Sequence, residues 1–191
     1  MKGVKACAGG ARTLGRRIFA GKRQGKRMLR LYLLRHAKAR WAEPGQRDFD
    51  RSLDASGIAD AERLGGYLKA HGLKPARIAA SSSRRTRETV AALGGIVPDD
   101  NIAYLETLYE ATAVQALEIV RAESDGGDLM IVGHNPVMED LAAALVGNGA
   151  DVLQAGFPTC GLAIIAFDTA HSSIEPDAGI LELFWTPAGV K

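Results

Sequence analysis

The sequence predicts an α/β fold, in which a single domain is built on a mostly parallel sheet with helices on both faces. Short apolar runs of strand length alternate with amphipathic segments of helix length. The 191 residues, 47% of them hydrophobic, suffice for one sizeable core but hardly for two. Alternating strands and helices build parallel sheets that are covered on both sides.

The predicted elements follow in chain order. An apolar strand over 29–35 is followed by a polar loop that contains Pro44 and Gly45. Asp54 is a typical N-cap for a helix with Ile58, Ala61, Leu64 and Leu68 on one face, and His71-Gly72 ends it. The remaining elements are a strand over 76–80, helices over 84–93 and 113–121, a strand over 128–132, a helix over 136–146, and two strands over 162–167 and 180–185 that form a hairpin.

The first strand ends in an Arg-His pair. Residues 31–34 are Leu-Tyr-Leu-Leu, and Arg35 and His36 follow directly. In open α/β folds, ligands bind beyond the carboxyl ends of the strands. This position places a nucleophile beside a cation that can bind an anion, although the dipeptide alone is a weak signal.

Two further strand-to-helix junctions carry residues of the same kind. A run of three serines over 81–83 leads into a helix whose first turn holds Arg85. His134 follows the strand over 128–132, with Asn135 predicted as N-cap and Pro136 as the first helical residue. Because backbone N–H groups at helix starts favour anions, the three junctions together predict a phosphate pocket.

These motifs resemble those of the histidine phosphatase superfamily. The resemblance rests on the Arg-His pair, on Ser-Ser-x-x-Arg-x-Arg-x-Thr over 81–89 and on Val-Gly-His-Asn-Pro over 132–136. Within the superfamily the chain is most similar to the small SixA-like phosphohistidine phosphatases, over about residues 28–190. It departs from the pattern at Ser52, where relatives often have proline, and at Arg84, which doubles Arg85. The resemblance implies a phosphoglycerate mutase-like fold and phosphatase activity.

From the chemistry of phosphoryl transfer we expect distinct roles for four residues. Arg35 and Arg85 clamp the phosphoryl oxygens, since the guanidinium fork binds two oxygens and keeps its charge. His134 donates to a third oxygen, and His36 is the nucleophile. Nearby cations should lower the pKa of His36 and keep it unprotonated near neutral pH. Its attack would give a phosphohistidine intermediate that water hydrolyses.

Glu110 is a fifth candidate catalytic residue. It lies between the second and third motifs, at a position similar to that of the general acid in several superfamily members. There it would protonate an alkoxide leaving group. A phosphohistidine substrate needs such an acid less, which leaves two alternatives open for Glu110: it orients water, or it is a solvated surface residue.

Charge is uneven along the chain. Nine of its 24 Lys and Arg residues lie in residues 1–27, which contain no Asp or Glu, and this leaves 15 basic against 22 acidic residues in the rest. We therefore divide the chain into a basic leader over 1–27 and a phosphatase domain over 28–191. The leader is expected to be untranslated, with Met28 as the biological start, or else to be a disordered arm or an organelle presequence.

Several other classes of site are disfavoured. No apolar run approaches the ~18 residues of a membrane-spanning helix, and no His, Cys and carboxylate cluster has zinc spacing. Cys7 and Arg12 are separated by four residues, where cysteine phosphatases need five. Asp48-Phe49-Asp50 is similar to the Asp-x-Asp of aspartate-nucleophile phosphatases, but it does not follow a buried strand. We therefore expect an enzyme without metal or cofactor, and two cysteines are consistent with a reducing, cytoplasmic compartment.

The preferred function is hydrolysis of phosphohistidine in a phosphorelay or phosphocarrier protein. The motif-bearing part is too short to carry a lid over a small metabolite, so an open cleft for a protein-borne phosphate is expected. A phosphatase for small phosphoesters is the first alternative, and a non-catalytic phosphate-binding scaffold is the second. Neither nucleic acid nor a membrane is expected as a partner.

Overall fold

The computed structural model describes residues 28–123, 127–147, 150–168, 170 and 173–190. The basic leader, with Cys7, lies outside these residues. Strands and α-helices alternate up to residue 145, and a 3-10 helix, Ala150–Ala155, and three strands follow among the described residues. The elements are β1 (Leu29–Arg35), α1 (Ala55–Ala70), β2 (Arg77–Ser81), α2 (Arg84–Ala92), β3 (Ile102–Leu105), α3 (Ala113–Ala122), β4 (Leu129–Gly133), α4 (Val137–Leu145), β5 (Leu162–Phe167), β6 (Ile180–Thr186) and β7 (Gly189–Val190).

Seven strands form one sheet in the order β3-β2-β4-β1-β5-β6-β7. The first four strands of the chain pair in parallel, as predicted for alternating strands and helices. The last three pair antiparallel, and β5 and β6 are the predicted hairpin partners. The sheet is therefore mixed, with its parallel half on the side that carries the sequence motifs.

The two faces of the sheet are covered by different helix pairs. Along β1, Leu31 and Leu33 belong to a cluster with residues of α3 and α4, whereas Tyr32 and Leu34 belong to a cluster with residues of α1 and α2. This alternation is the two-residue period of a strand that is buried on both faces. β1 therefore lies in the centre of the core, and its carboxyl end is held firmly in place.

The α1 helix begins and ends where its sequence predicts. The Asp54 side chain accepts a hydrogen bond from the Gly57 backbone N–H at 2.7 Å, so the predicted N-cap is confirmed. His71 is the C-cap, and Gly72 follows at a φ of +64°, a conformation that glycine adopts without strain. The prediction that Ile58 faces the core is wrong: its side chain is 42% exposed, and Gly57, Ala61, Leu64, Gly65 and Leu68 form the buried face.

The edge strand β3 was not predicted from the sequence. It has only four residues, all partly buried, and it lies between two 3-10 turns, Asp99–Asn101 and Glu106–Leu108. So short a segment has no periodicity of its own, and pairing with β2 defines it. In the part of the chain that the structure describes, no helix is long and apolar enough to cross a membrane.

Candidate active site

His36 and His134 lie side by side because their strands are neighbours. β1 and β4 pair in parallel with Arg35 opposite Gly133, and each histidine is the residue after its strand. The His36 backbone N–H donates to the Gly133 carbonyl oxygen at 2.9 Å. The two ring centroids are 5.0 Å apart, at an interplanar angle of 60°. The junctions that the sequence singled out thus meet at one edge of the sheet.

Arg85 completes the cluster from the first turn of α2. Its side chain is buried. It lies near His134 because α2 follows β2, and β2 pairs with β4, the strand that precedes His134. Arg85 Nε donates to His36 Nε2 at 3.2 Å, and its Nη2 donates to His134 Nδ1 at 3.2 Å. One guanidinium therefore bridges both imidazoles. Arg84, its neighbour, instead pairs with Glu88 at 2.7 Å on the exposed side of α2.

The hydrogen bonds of His36 fix its tautomer. Nδ1 lies 2.7 Å from the Ala37 carbonyl oxygen, which can only accept, so Nδ1 carries the proton. Nε2 accepts from Arg85 and holds a lone pair. Burial lowers the pKa of His36 to about 4, and Arg85, Arg35 and Arg51 act in the same direction against the opposing Ala37 hydrogen bond. At neutral pH the ring is uncharged, with its nucleophilic nitrogen free of a proton.

His134 is held as the opposite tautomer. Nδ1 accepts from Arg85, so Nε2 carries the proton and donates to Ser81 Oγ at 2.9 Å. Burial lowers the pKa of His134 to about 3, and proximity to His36 and Arg85 contributes. The Ser81 hydroxyl can also donate to Nε2. For the neutral ring to present an Nδ1–H donor to a bound anion, the Nε2 proton must pass to solvent and one must be gained at Nδ1, after which the Ser81 hydroxyl donates to Nε2.

Arg35 has hydrogen-bonding capacity left over. Its Nη1 donates to the Phe157 carbonyl oxygen at 2.7 Å, whereas its buried Nε has no partner among the described residues. Burial lowers the pKa of this guanidinium. Arg35, His36, Arg51, Arg85 and His134 all line one cavity of about 310 Å³. The structure therefore brings together all four residues of the predicted phosphate pocket.

Asp48 contacts this cluster and was missed as a site residue. It lies in a 3-10 turn, Asp48–Asp50, and its carboxylate accepts from Arg85 Nη2 at 2.8 Å, Tyr109 Oη at 2.9 Å and Arg51 Nη1 at 2.8 Å. The Arg51 hydrogen bond lowers the pKa of Asp48 to about 2, with Tyr109 and Arg85 acting in the same direction. Asp48 is thus a permanent anion that orients Arg85. Its spacing of three residues from Arg51 was the available sequence signal.

Glu110 lies apart from the histidines. Its side chain is exposed and lines a separate cavity of about 800 Å³, together with Phe49, Tyr109, Glu106 and Glu118. The structure does not bring Glu110 to the cavity that holds His36. Its role as a leaving-group acid therefore stays a prediction, and no contact of the described residues supports it.

The start of α4 differs from its prediction by one residue. Pro136, not Asn135, is the N-cap, and Val137 is the first helical residue. The Asn135 side chain donates to Glu139 at 2.7 Å and to the Phe157 carbonyl oxygen at 3.1 Å, so it is not a capping group. The same carbonyl accepts from Arg35. Asn135 thus helps fix the segment against which Arg35 rests.

Comparisons with known proteins agree with this geometry. Residues 31–113 match the family model of the histidine phosphatase superfamily, branch 1. SixA of Agrobacterium tumefaciens, which is assigned as a phosphohistidine phosphatase, is 35% identical with a TM-score of 0.72, over 83% of this chain and 98% of that one. SixA of Nakamurella multipartitia is 27% identical with a TM-score of 0.75, over 85% and 98%. An uncharacterized protein of Mycobacterium tuberculosis is 32% identical over 161 residues, which are 81% of this chain and 99% of the relative.

The chain therefore belongs to the histidine phosphatase superfamily, and the protein is a phosphatase with the phosphoglycerate mutase-like α/β fold. Within this superfamily it is a SixA-like member.

Proposed function

We propose that the protein hydrolyses phosphohistidine in a phosphorelay or phosphocarrier protein, without a metal, through a phosphohistidine intermediate on His36. The observation that carries the proposal is the state of His36. Its Nε2 is unprotonated and faces a cavity lined by Arg35, Arg51, Arg85 and His134. A neutral imidazole can attack phosphorus only where cations offset the charge of the phosphoryl oxygens.

In the first step, a bond forms between His36 Nε2 and phosphorus. The bond from phosphorus to the leaving nitrogen breaks, and its electron pair goes to that nitrogen, which takes a proton from solvent water. Arg85 Nε then donates to a phosphoryl oxygen in place of His36. Arg35 Nε, which has no partner among the described residues, donates to another. Once His134 has exchanged its Nε2 proton for one at Nδ1 through solvent, Ser81 donates to Nε2 and the Nδ1–H serves a third oxygen. These donors stabilise the charge of the transition state.

In the second step, water attacks phosphorus and releases phosphate. The bond to His36 Nε2 breaks, and its electron pair returns to that nitrogen, which restores the free enzyme. The Nδ1–H of His36 stays hydrogen-bonded to the Ala37 carbonyl oxygen throughout. This contact holds the ring in one orientation and leaves Nε2 as the reacting atom in both steps.

The open setting of the cavity supports a protein-borne phosphate. The cavity of about 310 Å³ holds a phosphoryl group, and the described residues contain no domain-sized insert over it. The likeness to SixA of Agrobacterium tumefaciens supports the same substrate class. A cytoplasmic location, where phosphorelay proteins carry this modification, is part of the proposal.

Phosphate release from three substrate classes tests the proposal. A histidine-containing phosphotransfer domain phosphorylated with phosphoramidate, an aryl phosphate and a panel of sugar phosphates would be compared in EDTA. We expect kcat/KM to be highest for the phosphorylated domain. Preference for a sugar phosphate would move the function to small phosphoesters while keeping the role of His36. Loss of all activity in EDTA would overturn the metal-free mechanism.

A further inference from the structure

Trp41 is an exposed tryptophan beside the candidate active site. Its side chain is 92% exposed, the highest value among the exposed large apolar residues of the described chain. It lines the same cavity as His36, Arg85 and His134. Exposing so large an apolar side chain to water is unfavourable. An exposed aromatic next to a catalytic pocket is therefore a candidate contact for a binding partner.

The backbone on either side of Trp41 is fixed. The Arg40 N–H donates to the Ser52 carbonyl oxygen at 2.9 Å, and Arg51 Nε donates to the Arg40 carbonyl oxygen at 2.8 Å. Ala39 and Leu53 form a β-bridge, and Leu53 is buried in the core. Arg51 also hydrogen-bonds to Asp48 of the active site. Trp41 is thus presented on an ordered base, which limits the entropy lost when a partner covers it.

The charge of the cavity identifies what enters it. Its lining includes the cations Arg35, Lys38, Arg51 and Arg85, and no Asp or Glu of the described residues is among the lining side chains. An anion such as a phosphoryl group suits this lining. The indole of Trp41 lies at the outer rim and is almost wholly in solvent. A small phosphoester bound inside the cavity would leave most of that surface exposed, whereas a folded protein would cover it.

We propose that Trp41 is the anchor by which the surface of a folded, phosphohistidine-bearing protein docks on the rim of the active site. The inference rests on the proposed function and adds its docking residue. A histidine side chain is short, so the backbone that carries it must approach the rim when its phosphoryl group reaches His36. Tryptophans that a partner covers on binding are frequent hot spots of protein interfaces.

The test compares protein-borne and free phosphohistidine as substrates of Trp41→Ala. With a histidine-containing phosphotransfer domain phosphorylated by phosphoramidate, we expect KM to rise ten-fold or more while kcat changes less. With free phosphohistidine, the loss of kcat/KM should be at least ten-fold smaller. Trp41→Phe should restore most of the affinity for the domain, because an aromatic anchor remains.

Ile180→Ala is the control variant. Ile180 is 61% exposed and pairs with Ala166, which lies opposite Arg30 at the far end of β1 from His36, so both kinetic constants should stay at their wild-type values. Equal losses of kcat/KM for Trp41→Ala on both substrates would show that Trp41 acts on the phosphohistidine leaving group, and would overturn the docking role. No loss on either substrate would overturn it as well. If wild-type enzyme hydrolyses neither substrate, the proposed function itself fails.

Discussion

At the scale of single residues, the reactivity of His36 follows from two contacts, one with a backbone carbonyl and one with a guanidinium. The Ala37 carbonyl oxygen accepts a hydrogen bond from the His36 Nδ1–H, and Arg85 donates to Nε2, so the lone pair lies where a phosphoryl group can enter. Arg85 can serve both histidines because Asp48 holds the far side of its guanidinium. The uncharged state of His36 and its free lone pair thus depend on four residues from three separate segments of the chain.

Neutralising Asp48 should strengthen binding of phosphate. Its carboxylate lies 2.8 Å from Arg85 Nη2 and from Arg51 Nη1, so it offsets part of the charge that a phosphoryl group meets. Removing one charge at a half-exposed ion pair is worth about 1 kcal/mol, or roughly five-fold in affinity. We expect Asp48→Asn to lower the inhibition constant of inorganic phosphate by this factor.

Asp50→Asn provides the matched control for Asp48→Asn. Asp50 pairs with the exposed Arg47 at 2.7 Å and makes no side-chain contact with the cluster among the described residues. The inhibition constant of inorganic phosphate for Asp50→Asn should equal that for the wild type. An equal tightening in both variants would show a general charge effect and contradict the specific role of Asp48.

The four pocket residues could be predicted from the sequence, but their contacts could not. Arg35 ends β1, and Arg85 lies in the first turn of α2. His36 and His134 each directly follow a strand, and such junctions are visible in a hydrophobicity pattern. Asp48 and Trp41 lie in the loop between β1 and α1, whose path depends on tertiary hydrogen bonds such as that from Arg51 to the Arg40 carbonyl oxygen. No local pattern encodes such a path.

At the scale of elements, the start of α1 supports the loop that follows His36. The Asp54 N–H donates to the Lys38 carbonyl oxygen at 3.0 Å, and Gly57 packs against the same backbone. A Cβ at Gly57 would overlap the Lys38 carbonyl oxygen and lie 2.8 Å from the Lys38 nitrogen. Glycine is therefore required here by close approach of two backbones, within a helix where alanine is normally preferred.

Gly57→Ala should destabilise the protein, whereas Gly66→Ala should stabilise it. Overpacking against a fixed backbone costs about 1–3 kcal/mol, which exceeds the helix preference of alanine. Gly66 is exposed on the same helix with no atom within 4 Å of an added Cβ, so alanine should add roughly 0.5–1 kcal/mol. Urea unfolding of both variants measures these changes. Stabilisation by Gly57→Ala would contradict the close approach.

Helices and strands with strong periodicity were predicted well, and short edge elements were not. The boundaries of β1 and β5 agree with the sequence, because their apolar runs are buried on both faces of the sheet. β3 and β7 escaped prediction since they have four and two residues and depend on pairing with a neighbour. Ile58 is the opposite case, because it is apolar and has the spacing of the apolar face of α1 but lies outside the core.

At the scale of the whole molecule, the two buried histidines link stability to pH. The pKa values of His36 and His134 are lowered to about 4 and about 3, from 6.5 in an unfolded chain. Between pH 6.5 and 4 the unfolded state binds protons that the folded state does not, so the free energy of unfolding falls as pH falls.

Each histidine should lower the free energy of unfolding by about 2 kcal/mol between pH 7 and pH 5. Urea unfolding at both pH values measures the change. His134→Gln should remove about half of the pH dependence, because His36 then remains as the other histidine with a lowered pKa. A wild-type stability that is unchanged over this range would contradict the neutral, buried state of the histidines.

The most direct test of the account is to find the phosphorylated residue during turnover. Enzyme mixed with a phosphorylated histidine-containing domain would be quenched in alkaline denaturant, because phosphohistidine is acid-labile, and analysed by peptide mass spectrometry. We predict a phosphoryl group on His36, and for His36→Ala neither the adduct nor more than about a hundredth of the wild-type turnover. Phosphorylation of another residue, or turnover of His36→Ala above that level, would contradict the account.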